Sequence, residues 1–144
     1  MRMQMKLLQV LIADDSAPLR RAIAELIAAD AAHCHVCGEA ADGEEALRLA
    51  AELRPDAVLL DLSIPQLQGL EVAKRLNAMH PGIAIVILSE QDPRALRFLA
   101  DAAGLRYCVA KSRLTTDLSP TLREIADQLT YGRAARGTEP PSGA

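Results

Sequence analysis

Aromatic residues are nearly missing from this chain: two tyrosines, one phenylalanine and no tryptophan among 144 residues. Single-strand nucleic-acid readers stack bases on aromatic rings, so that mode of binding has little to work with. Long basic runs are missing too. With a net charge of −3, direct binding to a phosphate backbone is disfavoured. No window approaches the roughly 18 uninterrupted apolar residues of a membrane span. The N-terminus carries an early positive charge at Arg2, but the apolar run behind it continues into Asp14-Asp15 without a small-residue cleavage site. It reads as a strand, not a signal peptide. Three cysteines are an odd number, which argues against a disulfide framework and makes a reducing cytoplasm the expected setting.

What is present is aliphatic. Half of the residues are hydrophobic (50%), enough to bury a core of Leu, Ile, Val and Ala in one domain. Apolar runs at 7–13, 35–40, 57–60, 83–88 and 107–110 read as buried strands. Between them lie stretches of helical periodicity. Ser16 is a candidate cap for the first, with Pro18 in its first turn and Leu19, Ile23, Leu26 and Ile27 on one face. Asp42-Gly43 turns into a helix facing inward through Ala46, Leu49, Ala50 and Leu53. The third carries Leu70, Ala73, Leu76 and Met79. The fourth opens on Asp92-Pro93, with a stripe of Ala95, Phe98, Leu99 and Ala102 and a stop at Gly104. The last carries Leu122, Ile125, Ala126 and Leu129. Thr116 or Ser119 caps it, and Pro120 falls in its first turn. Strict strand–helix alternation, five times over, calls for a parallel sheet with helices on both faces. Residues 1–6 read as an N-terminal extension and 7–131 as the domain. Residues 132–144, rich in Gly, Pro and small polar side chains, read as a flexible tail or truncated linker.

Polar residues at the strand ends carry the chemistry. The first strand ends in Asp14-Asp15, the third in Asp61, the fourth in Ser89 and the fifth in Lys111. In a parallel sheet these C-terminal ends meet along one rim, where open α/β folds bind ligands. Clustered carboxylates repel one another, and a hard divalent cation such as Mg2+ removes that cost. A lysine opposite them supplies a point charge for a phosphoryl oxygen, and a serine supplies a hydrogen bond. Together these suit phosphoryl transfer onto Asp61, which would attack phosphorus and become an acyl phosphate. An ionised Asp needs no base. Lys111 alone reads as a solvated loop lysine, and its role rests on the acids.

The chain resembles the receiver domain of two-component response regulators, the family of the chemotaxis regulator. The matching pieces are Asp14-Asp15, Asp61-Leu-Ser-Ile-Pro65 with Gly69, Ser89 after an aliphatic strand, and Lys111-Ser112. The resemblance implies a flavodoxin-like (βα)5 fold, doubly wound around a five-stranded parallel sheet of strand order 2-1-3-4-5. It implies that Asp61 is the phosphoacceptor. Asp15, Asp61 and the backbone carbonyl of Ser63 would bind Mg2+, with Asp14 acting through metal-bound water. Lys111 would pair with the phosphoryl group and Ser89 would move toward it, while Pro65 and Gly69 shape the loop. A histidine kinase or histidine phosphotransfer protein would donate the group. An output domain or effector protein, or a homodimer, would read the change on the face of the fourth helix, fifth strand and fifth helix. Neither nucleic acid nor membrane is an expected partner, and turnover of an external substrate is not expected.

Two positions depart from that pattern. Tyr or Phe is usual three residues before the lysine, and Cys108 stands there. Tyr107 precedes it, but neighbours on a strand face opposite ways, so it cannot simply substitute. The residue after the hydroxyl is often small, and here it is Glu90, an extra carboxylate that would slow an anionic phosphodonor.

His33, Cys34, His35 and Cys37 offer zinc-type ligands, but alternation sends neighbours to opposite faces and no second cluster completes a site; core or edge cysteines are the favoured reading. Arg94, Arg97, Asp101 and Arg106 face either a partner or solvent. Two rivals remain. One is a phosphorylation-independent interaction module, supported by Cys108 and Glu90. The other is a phosphohydrolase, whose haloacid-dehalogenase pattern wants an Asp where Ser63 stands.

Overall fold

The computed structural model describes residues 7–64 and 68–138, with 131–138 as backbone only. Five strands run in parallel: β1 (Leu8–Ala13), β2 (Cys34–Ala40), β3 (Ala57–Asp61), β4 (Ala84–Ser89) and β5 (Tyr107–Ala110). They form one sheet in the order β2-β1-β3-β4-β5. The helices between them are α1 (Ala17–Asp30), α2 (Gly43–Leu53), α3 (Gly69–Met79) and α4 (Pro93–Ala102). A 3-10 turn at Lys111–Arg113 leads from β5 into α5 (Leu114–Thr138). This is the doubly wound, flavodoxin-like (βα)5 arrangement that the alternation and the resemblance imply.

The sheet is covered on both sides, which is why its strands read as continuous apolar runs. One core packs Val10, Ile12, Leu59, Val86 and Leu88 under α1 and α5. The other packs Leu11, Val58, Leu60, Ile85 and Ile87 under α2, α3 and α4. β3 is buried along its whole length. Side-chain caps fix three helix starts. Ser16 Oγ accepts from the Leu19 amide at 3.2 Å, and Asp42 Oδ1 accepts from Glu45 N at 2.8 Å. Asp92 Oδ1 accepts from Arg94 N and Ala95 N at 2.9 and 3.1 Å. Each such cap stabilises its helix by about 1 kcal/mol.

Several expected helix faces turn out differently. α4 buries Leu96 and Ala100, with Leu99 half-buried, while Ala95 and Ala102 are exposed and Phe98 is 78% exposed. Apolar residues cover so much of this helix (95, 96, 98, 99, 100, 102 and 103) that two stripes have helical spacing. Packing against the sheet selects the other one. α3 buries Val72, Ala73 and Leu76, while Met79 in its last turn is 59% exposed. Leu53, closing α2, is 41% exposed, with its Cδ1 lying over Gly38 of β2.

α5 begins at Leu114, so neither Thr116 nor Ser119 caps it and Pro120 lies inside the helix. The proline deprives the Thr116 carbonyl of its donor. Two nearby hydroxyls bond other carbonyls: Ser119 Oγ donates to Asp30 O and Thr121 Oγ1 to Asp117 O, both at 2.8 Å. α5 continues past Tyr131 to Thr138. Arg133-Ala134-Ala135-Arg136 is a run of good helix formers, which outweighs the flanking glycines. The extension at 1–6, the loop residues 65–67 with Pro65, and the rest of the tail at 139–144 lie outside the described residues.

Candidate phosphoryl-transfer site

Because all five strands are parallel, their C-terminal ends share one rim. β3 lies between β1 and β4, which sets Ala13 beside Leu60 and Asp61 beside Leu88. Asp14 follows β1, Asp61 closes β3, Ser89 closes β4 and Lys111 follows β5. The order of the sheet thus brings together residues far apart in the chain.

Asp14 is fully buried and Asp61 is 2% exposed, while the adjacent Asp15 is open to solvent. One carboxylate oxygen from each of the three falls within 4.8 Å of the others. Lys111 Nζ lies 3.2 Å from Asp14 Oδ2 and 3.3 Å from Asp61 Oδ1. Burial pushes the Asp14 carboxyl above its ordinary pKa, and Asp61 adds to this; the Ser16 amide and Lys111 pull the other way. Burial lowers the pKa of Lys111, but the charges of Asp61 and Asp14 outweigh it and hold the ammonium above its usual value. Lys111 is therefore a cation at neutral pH.

Asp14 Oδ1 accepts from Ser16 N at 2.8 Å. Its Oδ2 has the Lys111 charge nearby but no aligned hydrogen bond. Three acids served by one ammonium, with a buried oxygen left under-bonded, suit a divalent cation of the Mg2+ type. The open position of Asp15 gives such an ion a way in.

Asp61 is held by its own loop. Ser63 N donates to Oδ1 at 3.1 Å, and Ser63 Oγ lies 3.0 Å from both carboxylate oxygens. One hydroxyl proton serves one oxygen at a time. The loop is pressed by α3: a Cβ on Gly69 would fall 2.5 Å from Leu62 Cα and 2.7 Å from Leu62 O. Only glycine fits that approach. Ser89 Oγ reaches forward along the chain and accepts from Gln91 N at 3.1 Å.

Other candidates lie elsewhere. Cys108 is half-buried on the α2–α4 side of the sheet, and burial raises its thiol pKa. Tyr107 packs on the opposite side, with the Arg106 guanidinium 5.4 Å from its ring centre. Among the described residues, no hydrogen bond or ion pair joins either to the rim acids. Cys34 and Cys37 belong to opposite cores, and burial pushes the Cys34 thiol up to about 11. His35 is exposed, its Nδ1 2.8 Å from Gln9 Oε1. His33 lines a cleft of about 480 Å3 at the opposite end of the sheet, beside Leu8, Arg123 and Ala126. Among the described residues, Asp14, Asp15 and Asp61 form the one group placed to hold a metal ion.

Two features went unread in the sequence. The hydroxyl of Ser63 reaches the carboxylate two residues before it, a local pattern that Asp-x-Ser permits and that was legible in principle. Arg20 donates to the Asp14 carbonyl at 2.6 Å and pairs with Glu39 Oε1 at 2.9 Å, clamping the loop that carries Asp15. No local signal marks that contact.

The chain is similar in sequence and fold to known proteins. The profile of the response regulator receiver domain family matches residues 10–123. Response regulator GacA of Pseudomonas viridiflava is 41% identical over 101 residues, which is 68% of this chain and 47% of that protein. A protein-glutamate methylesterase/protein-glutamine glutaminase of Geobacter metallireducens is 42% identical over 100 residues, 68% of this chain and 28% of that one. The chain thus spans half or less of the length of these relatives. Among solved structures, the REC domain of AraT, a response regulator from Geobacillus stearothermophilus, has a TM-score of 0.77 at 29% identity. It covers 88% of this chain and 98% of its own.

Proposed function

Because the chain belongs to the response regulator receiver domain family, whose members serve phosphorylation-based two-component signalling, we propose that Asp61 is the carboxylate that accepts its phosphoryl group. One observation carries this: Lys111 Nζ stands 3.3 Å from Asp61 and 3.2 Å from Asp14, within a cluster of three acids. Receiver domains of this family typically bind Mg2+ at an acidic pocket. Here Asp15, Asp61 and the Ser63 carbonyl would hold it directly and Asp14 through water. Bound Mg2+ would offset the acids' charge and polarise the transferring phosphoryl group.

The chain's own residues do the rest. Asp61 presents an ionised oxygen to phosphorus, so no proton has to be removed. The Ser63 hydroxyl holds that carboxylate until it is engaged. Lys111 meets one phosphoryl oxygen as a fixed charge, prepaid by the two acids that already orient it. Ser89 leaves Gln91 N and donates to another oxygen. The donor is a histidine kinase or histidine phosphotransfer protein, and the change is read by an output domain, an effector protein or a second copy. We place the domain in the cytoplasm, assisting transfer to and from its own Asp61 with no external substrate. Among the described residues no helix is long and apolar enough to cross a membrane.

Asp61→Asn tests the assignment. It should abolish Mg2+-dependent labelling by acetyl phosphate, followed by intact-protein mass. Undiminished labelling would put the acceptor elsewhere.

A further inference from the structure

Lys111 answers to a third carboxylate. Glu90 Oε1 lies 3.9 Å from Lys111 Nζ, and the Glu90 side chain is 84% exposed. The other two partners, Asp14 and Asp61, are buried and fixed at strand ends. Glu90 is the solvent-side member of the set. Because Asp61 is 2% exposed and the Lys111 side chain 11%, an incoming phosphoryl group has to come from the solvent side, where Glu90 stands.

We propose that Glu90 is a specificity-determining residue that disfavours free anionic phosphodonors relative to a phosphoryl group carried on a protein. The inference rests on Asp61 being the acceptor and concerns which donor reaches it. Two effects act together. The Glu90 carboxylate repels a small dianion at the mouth, an effect that salt screens. It also competes for Lys111, so that the ammonium is shared when a phosphoryl oxygen arrives. A donor protein offsets both. Its docking contacts fix the phosphoryl group at high effective concentration, and a cation on its surface can pair with Glu90. The transfer balances the same way for either donor. The P–N bond of phosphohistidine or the acyl P–O bond of acetyl phosphate breaks, and its electron pair leaves with imidazole or acetate. The new P–O bond forms to Asp61, with no proton taken from it.

The experiment follows labelling of the full chain at saturating Mg2+ with dianionic acetyl phosphate and monoanionic phosphoramidate, at low and high salt. Wild type, Glu90→Gln and Asp61→Asn are compared. Glu90→Gln should accelerate labelling by acetyl phosphate about twofold to fivefold at low salt. The gain should be smaller with phosphoramidate and shrink as salt rises. No change overturns the proposal; so does an equal, salt-independent gain with both donors, which marks a steric role. Absence of labelling in wild type, or equal labelling of Asp61→Asn, instead overturns the acceptor assignment.

Discussion

On one face of the sheet, α1 and α5 bury long branched side chains: Ile23, Ile27, Leu118, Leu122 and Ile125. On the other, α2, α3 and α4 bury mostly small ones: Ala46, Ala50, Ala73 and Ala100 around Val72, Leu76 and Leu96. The exposed Met79 and Phe98 and the partly exposed Leu53 all belong to this second group of helices. Small residues let a helix lie close to the sheet but remove less apolar area from water, and burial stabilises in proportion to area. α4 has Leu96 and Ala100 as its fully buried anchors, and α2 has Gly43, Ala46 and Ala50. α4 also follows directly on the turn that Ser89 makes with Gln91. The helix that follows the rim hydroxyl is therefore one of those held to the sheet by little apolar area.

The strongest test of this contrast is truncation. Leu122→Ala on α5 should cost about 2–5 kcal/mol in denaturant unfolding, since a fully buried leucine leaves a cavity. Gly69→Ala comes next, at about 1–3 kcal/mol, because the new methyl meets the Leu62 backbone and the loop must shift. It should weaken Mg2+ binding by calorimetry as well, whereas Leu122→Ala should not. Hydrogen exchange should show α4 amides opening more readily than the amides of α5 around Leu118–Ile125. Equal protection of the two helices would erase the distinction between the faces.

A thiol gives a finer probe. Cys34 packs on the α1/α5 side, and burial pushes its pKa up from 9.0 to about 11. The folded state thus holds a proton that the unfolded state releases. That contribution is complete below pH 9.0 and is lost as pH rises toward about 11. Cys34→Val should flatten this part of the alkaline stability profile relative to wild type; an identical slope would mean the thiol is solvated. The smallest effect belongs to Phe98→Ser, expected within about 0.5 kcal/mol because the ring already sits in water. A loss as large as that of Leu122→Ala would show the ring packed against something in solution.

Much of the rim was legible without coordinates. Asp14, Asp61, Ser89 and Lys111 each follow an aliphatic run, and parallel strands leave them no other common edge. Helix stripes were legible on α1, where Ile23 and Ile27 are buried on one face while Arg21 and Glu25 are exposed. They were not on α4, where alanines fill both candidate faces and carry no preference. Nor was the start of α5, because Pro120 normally marks a first turn. There the 3-10 turn at Lys111–Arg113 starts the helix earlier.

The sequence by itself determined the alternation of elements, the two-sided sheet and the acids at its C-terminal edge. These follow from local period and from where apolar runs stop. Only the tertiary structure decided which stripe α4 buries, that Arg20 clamps the Asp14 carbonyl, and that Glu90 comes within 3.9 Å of Lys111. Those outcomes depend on distances between segments remote in the chain, which packing sets and no local pattern encodes.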